Sequence, residues 1–150
     1  MLLSFTSYAD LSEAYNLSKG EALAGCIERK IPIIDRIRVS DIRSYTKYDK
    51  HYISLSSNSI YVDYDSSKSM ITMLYVKNYD VSERTKIEDA KKSLQNIKSL
   101  LFVPALSLCS SVIGIKNSVK FSMGFMDPAF KDRLQKVIVH MDESGVFLLP

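Results

Sequence analysis

The chain has 150 residues, a formal net charge of +3 and 46% hydrophobic residues. This composition excludes an intrinsically disordered chain, and the scarcity of glycine and proline excludes a collagen-like or linker-rich protein. The length is typical of one domain, so we expect a single α+β domain over residues 1–150. Within it, residues 1–32 would form an N-terminal unit and residues 33–150 a sheet-helix body.

The N-terminal unit is predicted to contain two short helices, 8–16 and 18–30, joined by a tight turn. Asn16 suits the left-handed conformation that such a turn needs. Ser18 is a candidate N-cap for the second helix, and Pro32 would end it because the residue before proline is pushed out of the helical region. This order predicts an N-terminal helical hairpin of the helix-turn-helix kind.

The stretch from Leu17 to Asp41-Ile42 resembles the small excisionase-type DNA-binding modules. In those modules a helix-turn-helix ends in a Lys-Ile-Pro-like turn and a basic wing follows, and Lys30-Ile31-Pro32 would be that turn here. The resemblance covers about a quarter of the chain. Glu21 and Glu28 in the second helix depart from it, because acidic side chains would face phosphates. The resemblance implies double-stranded DNA as the partner.

Basic residues support the same interpretation, since residues 29–50 hold seven bases and three acids. Phosphate contacts supply most of the affinity of DNA-binding proteins. The predicted contacts are Lys19, Arg29, Lys30, Arg36, Arg38, Arg43 and Lys47.

The middle of the chain predicts strands. Residues 33–45 fit either a short strand or a helical turn. Three strands are expected at 51–57, 59–65 and 69–77, separated by turn-forming residues. The last of these is apolar on both faces and should be the most buried.

The second half predicts a helix over 83–101, where apolar residues recur at spacings of three and four. Ser118–Phe125 alternates strictly and predicts a strand. Asp127-Pro128 would open a last helix that continues to Met141, and residues 146–149 would add an edge strand. Together these elements predict an α+β fold: an antiparallel sheet of about four to five strands with helices packed on one face and an N-terminal helical hairpin.

Cys26 and Cys109 lie far apart in apolar sequence and lack CxxC spacing. We expect buried free thiols in a reducing compartment, and therefore a cytoplasmic protein. The uncharged segment Ser99–Ile115 is at the short limit for a membrane-spanning helix. It contains Pro104 and continues an amphipathic helix, so it predicts buried core and no membrane partner.

Catalytic motifs are not visible in the sequence. The two histidines, His51 and His140, lack metal-ligand spacing, and GxSxG, P-loop and GxGxxG patterns are absent. Asp63 and Asp65 share one strand face and could bind a cation or share a proton. A pocket around these carboxylates or His51 would favour an enzyme, but the sequence itself predicts no enzyme, metal or cofactor.

Tyrosines cluster in the middle of the chain, where seven of the nine fall between positions 45 and 79. Tyrosine suits half-buried strands, and it is also enriched where proteins bind partners. The residues predicted to contact a protein are Tyr45, Tyr52 and Tyr61. The leading prediction is a small DNA-binding or regulatory protein. The alternative is a protein-protein interaction module, such as an immunity, adaptor or inhibitor protein, and a homodimer is a further candidate assembly.

Overall fold

The computed structural model describes residues 8–35, 37–47, 50–55, 58–77, 83–113, 117–126 and 135–148. The helices are α1 (Tyr8–Asp35), α2 (Glu83–Ile97), α3 (Val103–Leu108) and α4 (Ser110–Ile113), with a 3₁₀ turn at Val39–Asp41 and a π-helical segment at Lys98–Phe102. The strands are β1 (Ile42–Lys47), β2 (Lys50–Leu55), β3 (Asn58–Asp65), β4 (Met70–Lys77), β5 (Ser118–Met126), β6 (Gln135–Asp142) and β7 (Phe147–Leu148).

All these strands belong to one seven-stranded sheet, in which they stand in chain order from β1 to β7. Each neighbouring pair is antiparallel except β4–β5, which is parallel and is connected through α2–α4. The predicted antiparallel sheet of four to five strands is therefore wrong. A parallel pair needs a long crossover, and the helical segment after β4 supplies it.

The predicted N-terminal hairpin is also wrong, because α1 is one continuous helix of 28 residues. Its buried face continues at helical spacing through Leu23, Ile27 and Ile31, which pack into the core. Pro32 lies inside the helix, which ends only at Asp35. After the helix, β1 pairs directly with β2.

The last predicted helix, which would continue to Met141, is wrong in its second half. Its opening at Asp127-Pro128 lies outside the described residues, but Gln135–Asp142 is the strand β6 and not a helix. Val139 and Met141 are buried in the core at a spacing of two, as a strand requires. By contrast, β2, β3, β4 and β5 match the strands expected from alternation.

The core lies between one face of the sheet and the helices. α1 packs on β1–β3, while α2 packs on β5 and β6. Phe102 stacks on Phe121 of β5, with 5.4 Å between ring centroids and 19° between ring planes. The face of the sheet turned away from α1 is called the far face below, and it carries Tyr45, Tyr52 and Tyr61.

Cys26 of α1 and Cys109, at the junction of α3 and α4, form a disulfide with a Cα–Cα distance of 6.0 Å. The prediction of free thiols is therefore wrong. Both cysteines are buried, and the bond ties α1 to the helical crossover across the core. The thiol argument for a reducing compartment no longer stands, and the cytoplasmic location stays a prediction.

The segment read from sequence as buried core is buried on one side only. Leu101, Phe102 and Ala105 face the interior, whereas Leu100 and Val103 are exposed. None of the helices in the described part of the chain has the length and apolar character needed to cross a membrane.

Candidate functional site

A cleft of about 340 Å³ opens where the β1–β2 hairpin ends beneath α1. β2 begins at Lys50, whereas β3 continues to Asp65, beyond the partners of β2. Within the described part of the chain, the end of β3 beside α1 therefore has no strand paired with it on that side. The cleft is lined by Glu13, Asn16, Leu17, Lys50, His51, Tyr61, Asp63, Tyr64 and Asp65.

The two faces of the sheet contribute differently to this cleft. His51 and Tyr64 alternate along their strands with residues of the far face, so their side chains point toward α1. On that side of the cleft, α1 contributes Glu13. Tyr61 and Asp63 belong to the far face. The cleft therefore runs around the end of the sheet and joins a buried histidine to an exposed acidic rim.

His51 is 7% exposed, although it is a polar side chain. Its Nδ1 lies 3.3 Å from the hydroxyl oxygen of Thr46 on β1, and its Nε2 is buried without a hydrogen-bond partner among the described residues. A Cβ at Gly20 would come within 3.0 Å of the His51 ring. Glycine at this position lets α1 pack directly against the edge of the imidazole that carries Nε2.

Among the described residues that line the cleft, Glu13, Asp63 and Asp65 supply three carboxylates and Lys50 supplies one ammonium. The hydroxyl of Ser67 donates a 2.6 Å hydrogen bond to Asp65 and lowers the pKa of that carboxyl. Asp65 therefore stays charged near neutral pH. A cleft with an excess of one charge sign attracts ligands of the opposite sign.

The tyrosine hydroxyls in the cleft stay protonated. Burial raises the pKa of Tyr61, and the neighbouring charge of Asp63 raises it further. Burial likewise raises the pKa of Tyr64, whose ring meets Tyr15 edge-on with 6.0 Å between centroids. Both phenols are thus neutral hydrogen-bonding groups beside the carboxylates.

The three tyrosines predicted to contact a protein form one row across the far face. Tyr45, Tyr52 and Tyr61 are directly opposite one another on β1, β2 and β3. The first two rings stack with 5.3 Å between centroids and 11° between planes, and the last two lie 5.5 Å apart. Tyr45 is exposed at 42%, and Lys50 Nζ lies 5.5 Å from the Tyr61 ring centroid.

The basic residues predicted to contact DNA do not form one surface. Lys19, Arg29 and Lys30 belong to α1, whereas Arg43 alternates with the buried Ile42 and points to the far face. Arg38 is exposed before the 3₁₀ turn. Arg36 and the side chain of Lys47 lie outside the described residues.

The sequence indicated parts of the cleft but not its assembly. It singled out His51 and the pair Asp63 and Asp65, and the structure brings all three to one cleft. It did not identify Glu13 or Asn16, because nothing local shows that α1 crosses the end of β3.

Across the described ranges, no three histidine, cysteine or carboxylate side chains are grouped closely enough to hold a metal ion.

Comparison of the chain with protein-family models, curated proteins and solved structures finds no match.

Proposed function

We propose that this protein is a binding module that recognises an acidic surface of a protein partner through the far face of β1–β3. The observation that carries the proposal is the row of neighbouring rings formed by Tyr45, Tyr52 and Tyr61, of which the first two stack. Buried tyrosines at the centre of an interface supply much of the binding energy in protein complexes.

The row is suited to this role because its rings support one another. Tyr52 is buried between two neighbours, so its side chain loses little further freedom when a partner binds. Tyr45 is the accessible end of the row and offers an apolar ring with a polar hydroxyl. Preorganised aromatic contacts of this kind cost less entropy than flexible side chains do.

Positive charges flank the row on both sides. Arg43 precedes Tyr45 on the same face of β1, and Lys50 precedes Tyr52 on β2. Both basic side chains are exposed. The complementary partner therefore presents carboxylates around an apolar or aromatic group. Because Lys19, Arg29 and Lys30 lie on α1, on the opposite side of the sheet, this placement supports protein binding better than binding along a DNA duplex.

Binding would use the face of the sheet and not its edges. The outward backbone N–H groups of Ile42 and Ser44 on β1 are already bonded, to Val39 and Glu28 respectively. At the other edge, β7 is only two residues long. Addition of a partner strand needs a free edge with several open hydrogen-bonding groups.

Site-specific photo-crosslinking in the native host tests the proposal. A benzophenone amino acid at position 45 should crosslink to one protein, whereas the same group at Tyr15 should not. Tyr15 is a matched control, since it is 49% exposed but lies on α1, on the other side of the sheet. Failure to crosslink at position 45 contradicts the proposal.

Affinity measurements with the crosslinked partner then quantify the contact. We expect Tyr45→Ala to weaken binding by about thirtyfold, as for an interface hot spot, and Tyr15→Ala to leave it within about twofold. Arg43→Ala should lower the association rate and make it less sensitive to salt. Equal losses for the two tyrosine variants would show that the row is not the interface.

A further inference from the structure

We infer that the cleft beside His51 binds an organic cation, an alkylammonium or guanidinium group. The inference does not depend on the proposed partner-binding face: it shares Lys50 and Tyr61 with that face, but it rests on His51 and on the carboxylates of Glu13, Asp63 and Asp65. The cleft has a volume of about 340 Å³, which lies near the lower end of the range for small-molecule sites. A group the size of an amino-acid side chain fits this space.

The buried histidine provides the first argument. Nε2 of His51 is shielded from solvent and has no partner among the described residues. Leaving a buried polar atom unpaired is costly, so such an atom in a cleft marks a place where something binds. When Nδ1 donates its hydrogen to the Thr46 hydroxyl, Nε2 presents a lone pair, and a ligand N–H can bond to it once the contact between the imidazole and α1 at Gly20 opens.

The acidic rim provides the second argument. Glu13 and Asp63 are exposed, and Asp65 is held by Ser67 in an orientation fixed by two hydrogen bonds. Three carboxylates and one ammonium give the cleft an excess of negative charge. An anionic ligand would be repelled, and a metal ion lacks a sufficient group of ligands in the described part of the chain.

The aromatic walls provide the third argument. Lys50 Nζ lies 5.5 Å from the centroid of the Tyr61 ring, within the range of a cation–π contact, so this ring is suited to an ammonium group. Tyr64 adds a second ring to the cleft. Carboxylates combined with aromatic faces recognise ammonium and guanidinium groups through charge and cation–π attraction together.

Titration of the full chain with three isosteric probes tests the inference. Butylguanidinium and butylammonium carry the expected charge, and butylurea has a similar shape without it. NMR spectra should show the His51 imidazole resonances shifting with the charged probes while those of His140 stay unchanged. Butylurea should bind at least about tenfold more weakly. Equal binding of butylurea, or no shift up to about 10 mM charged probe, overturns the inference.

Two exposed substitutions give the matched comparison. Asp63→Asn should weaken binding of butylguanidinium by about tenfold, because a charge-assisted contact is lost while the shape is kept. Glu143→Gln, an exposed site in the turn between β6 and β7, should have no effect. If both variants lose affinity for butylguanidinium equally, the probe is attracted only by the overall charge of the protein, and the inference of a specific site is wrong. Tyr45→Ala should bind the probe normally, which separates this result from the test of the tyrosine row.

The probes also distinguish the source of the cation. A capped Gly-Arg-Gly peptide that binds more tightly than butylguanidinium indicates a protein side chain as the occupant. A peptide that binds more weakly indicates a free amine or guanidine. Either result supports the cleft as a cation site, provided that the uncharged probe is rejected.

Discussion

Glu28 of α1 closes the free edge of the sheet at Ser44 of β1. One carboxylate oxygen accepts a hydrogen bond from the Ser44 backbone N–H at 3.2 Å, and the other accepts one from its hydroxyl at 2.6 Å. Edge strands with open N–H groups pair readily with other chains. The helix thus supplies an acceptor at the point where another strand would otherwise bind.

Removal of this carboxylate should promote self-association. We expect Glu28→Ala to increase the oligomer fraction at high protein concentration, because the Ser44 N–H becomes available for strand pairing. Light scattering coupled to size exclusion measures this fraction. Glu21→Ala removes an exposed glutamate from the same helix and should behave as wild type. If both variants associate equally, charge loss and not edge protection is the cause.

The buried disulfide should contribute strongly to stability. Cys26 and Cys109 close a loop with a sequence separation of 83, and the entropy lost by the unfolded chain corresponds to about 4.5 kcal/mol. We expect the free energy of unfolding of the reduced protein to be lower by about this amount, and its urea midpoint to be lower as a result. A variant with alanine at both positions should have the same urea midpoint as the reduced protein, and addition of reductant should not change that midpoint. A urea midpoint that does not change on reduction would contradict the prediction.

His140 should make stability depend on pH. Burial lowers the pKa of His140, and the positive charge of Lys120 lowers it further. Above pH 6.5 the residue is neutral in both states; as the pH falls below 6.5, the unfolded chain takes up the proton first. Stability is therefore lost from about pH 6.5 down to the lower folded pKa.

His140→Gln should remove that part of the pH dependence while keeping a hydrogen-bonding group near the Ser122 hydroxyl, which lies 2.7 Å from His140 Nδ1. Urea unfolding of both proteins between pH 5 and pH 8 measures the difference. Parallel stability curves for the two proteins would show that His140 does not cause the effect.

Two neighbouring apolar residues of the crossover should differ sharply in their contributions. Phe102 is fully buried against Phe121, and Phe102→Ala should cost about 3–5 kcal/mol because it leaves a cavity. Leu100 is 71% exposed, and Leu100→Ala should stay within about 0.5 kcal/mol of wild type. Urea midpoints provide the comparison. Similar losses would show that the outer side of this segment is covered.

Local patterns predicted the strands whose neighbours are close in sequence. β2, β3 and β4 form antiparallel hairpins, and alternation together with turn residues was sufficient to place them. The break predicted at Asn16 failed for a tertiary reason. The Asn16 side chain accepts a hydrogen bond from the Ser66 backbone N–H at 3.1 Å, a contact between residues 50 positions apart. No local pattern reveals that partner.

β6 shows a different limit of sequence patterns. Its apolar residues fit a helical spacing if Val137, Ile138 and Met141 are chosen, and a strand spacing if Val139 and Met141 are chosen. Pairing with β5 decides between them. The cleft could not be predicted either, because His51 and Glu13 line the same cleft only once α1 has packed across the sheet.

The chain-ordered sheet also has a consequence for folding. On either side of the β4–β5 pair, every strand finds its partner in the segment just before or after it. Each of these two meanders can form with little loss of chain entropy, whereas joining Met70 to Ser118 requires the whole crossover to be in place. If the chain is cleaved between β4 and β5, within the α2–α4 crossover, we therefore expect the two fragments to reassociate through the parallel β4–β5 pair.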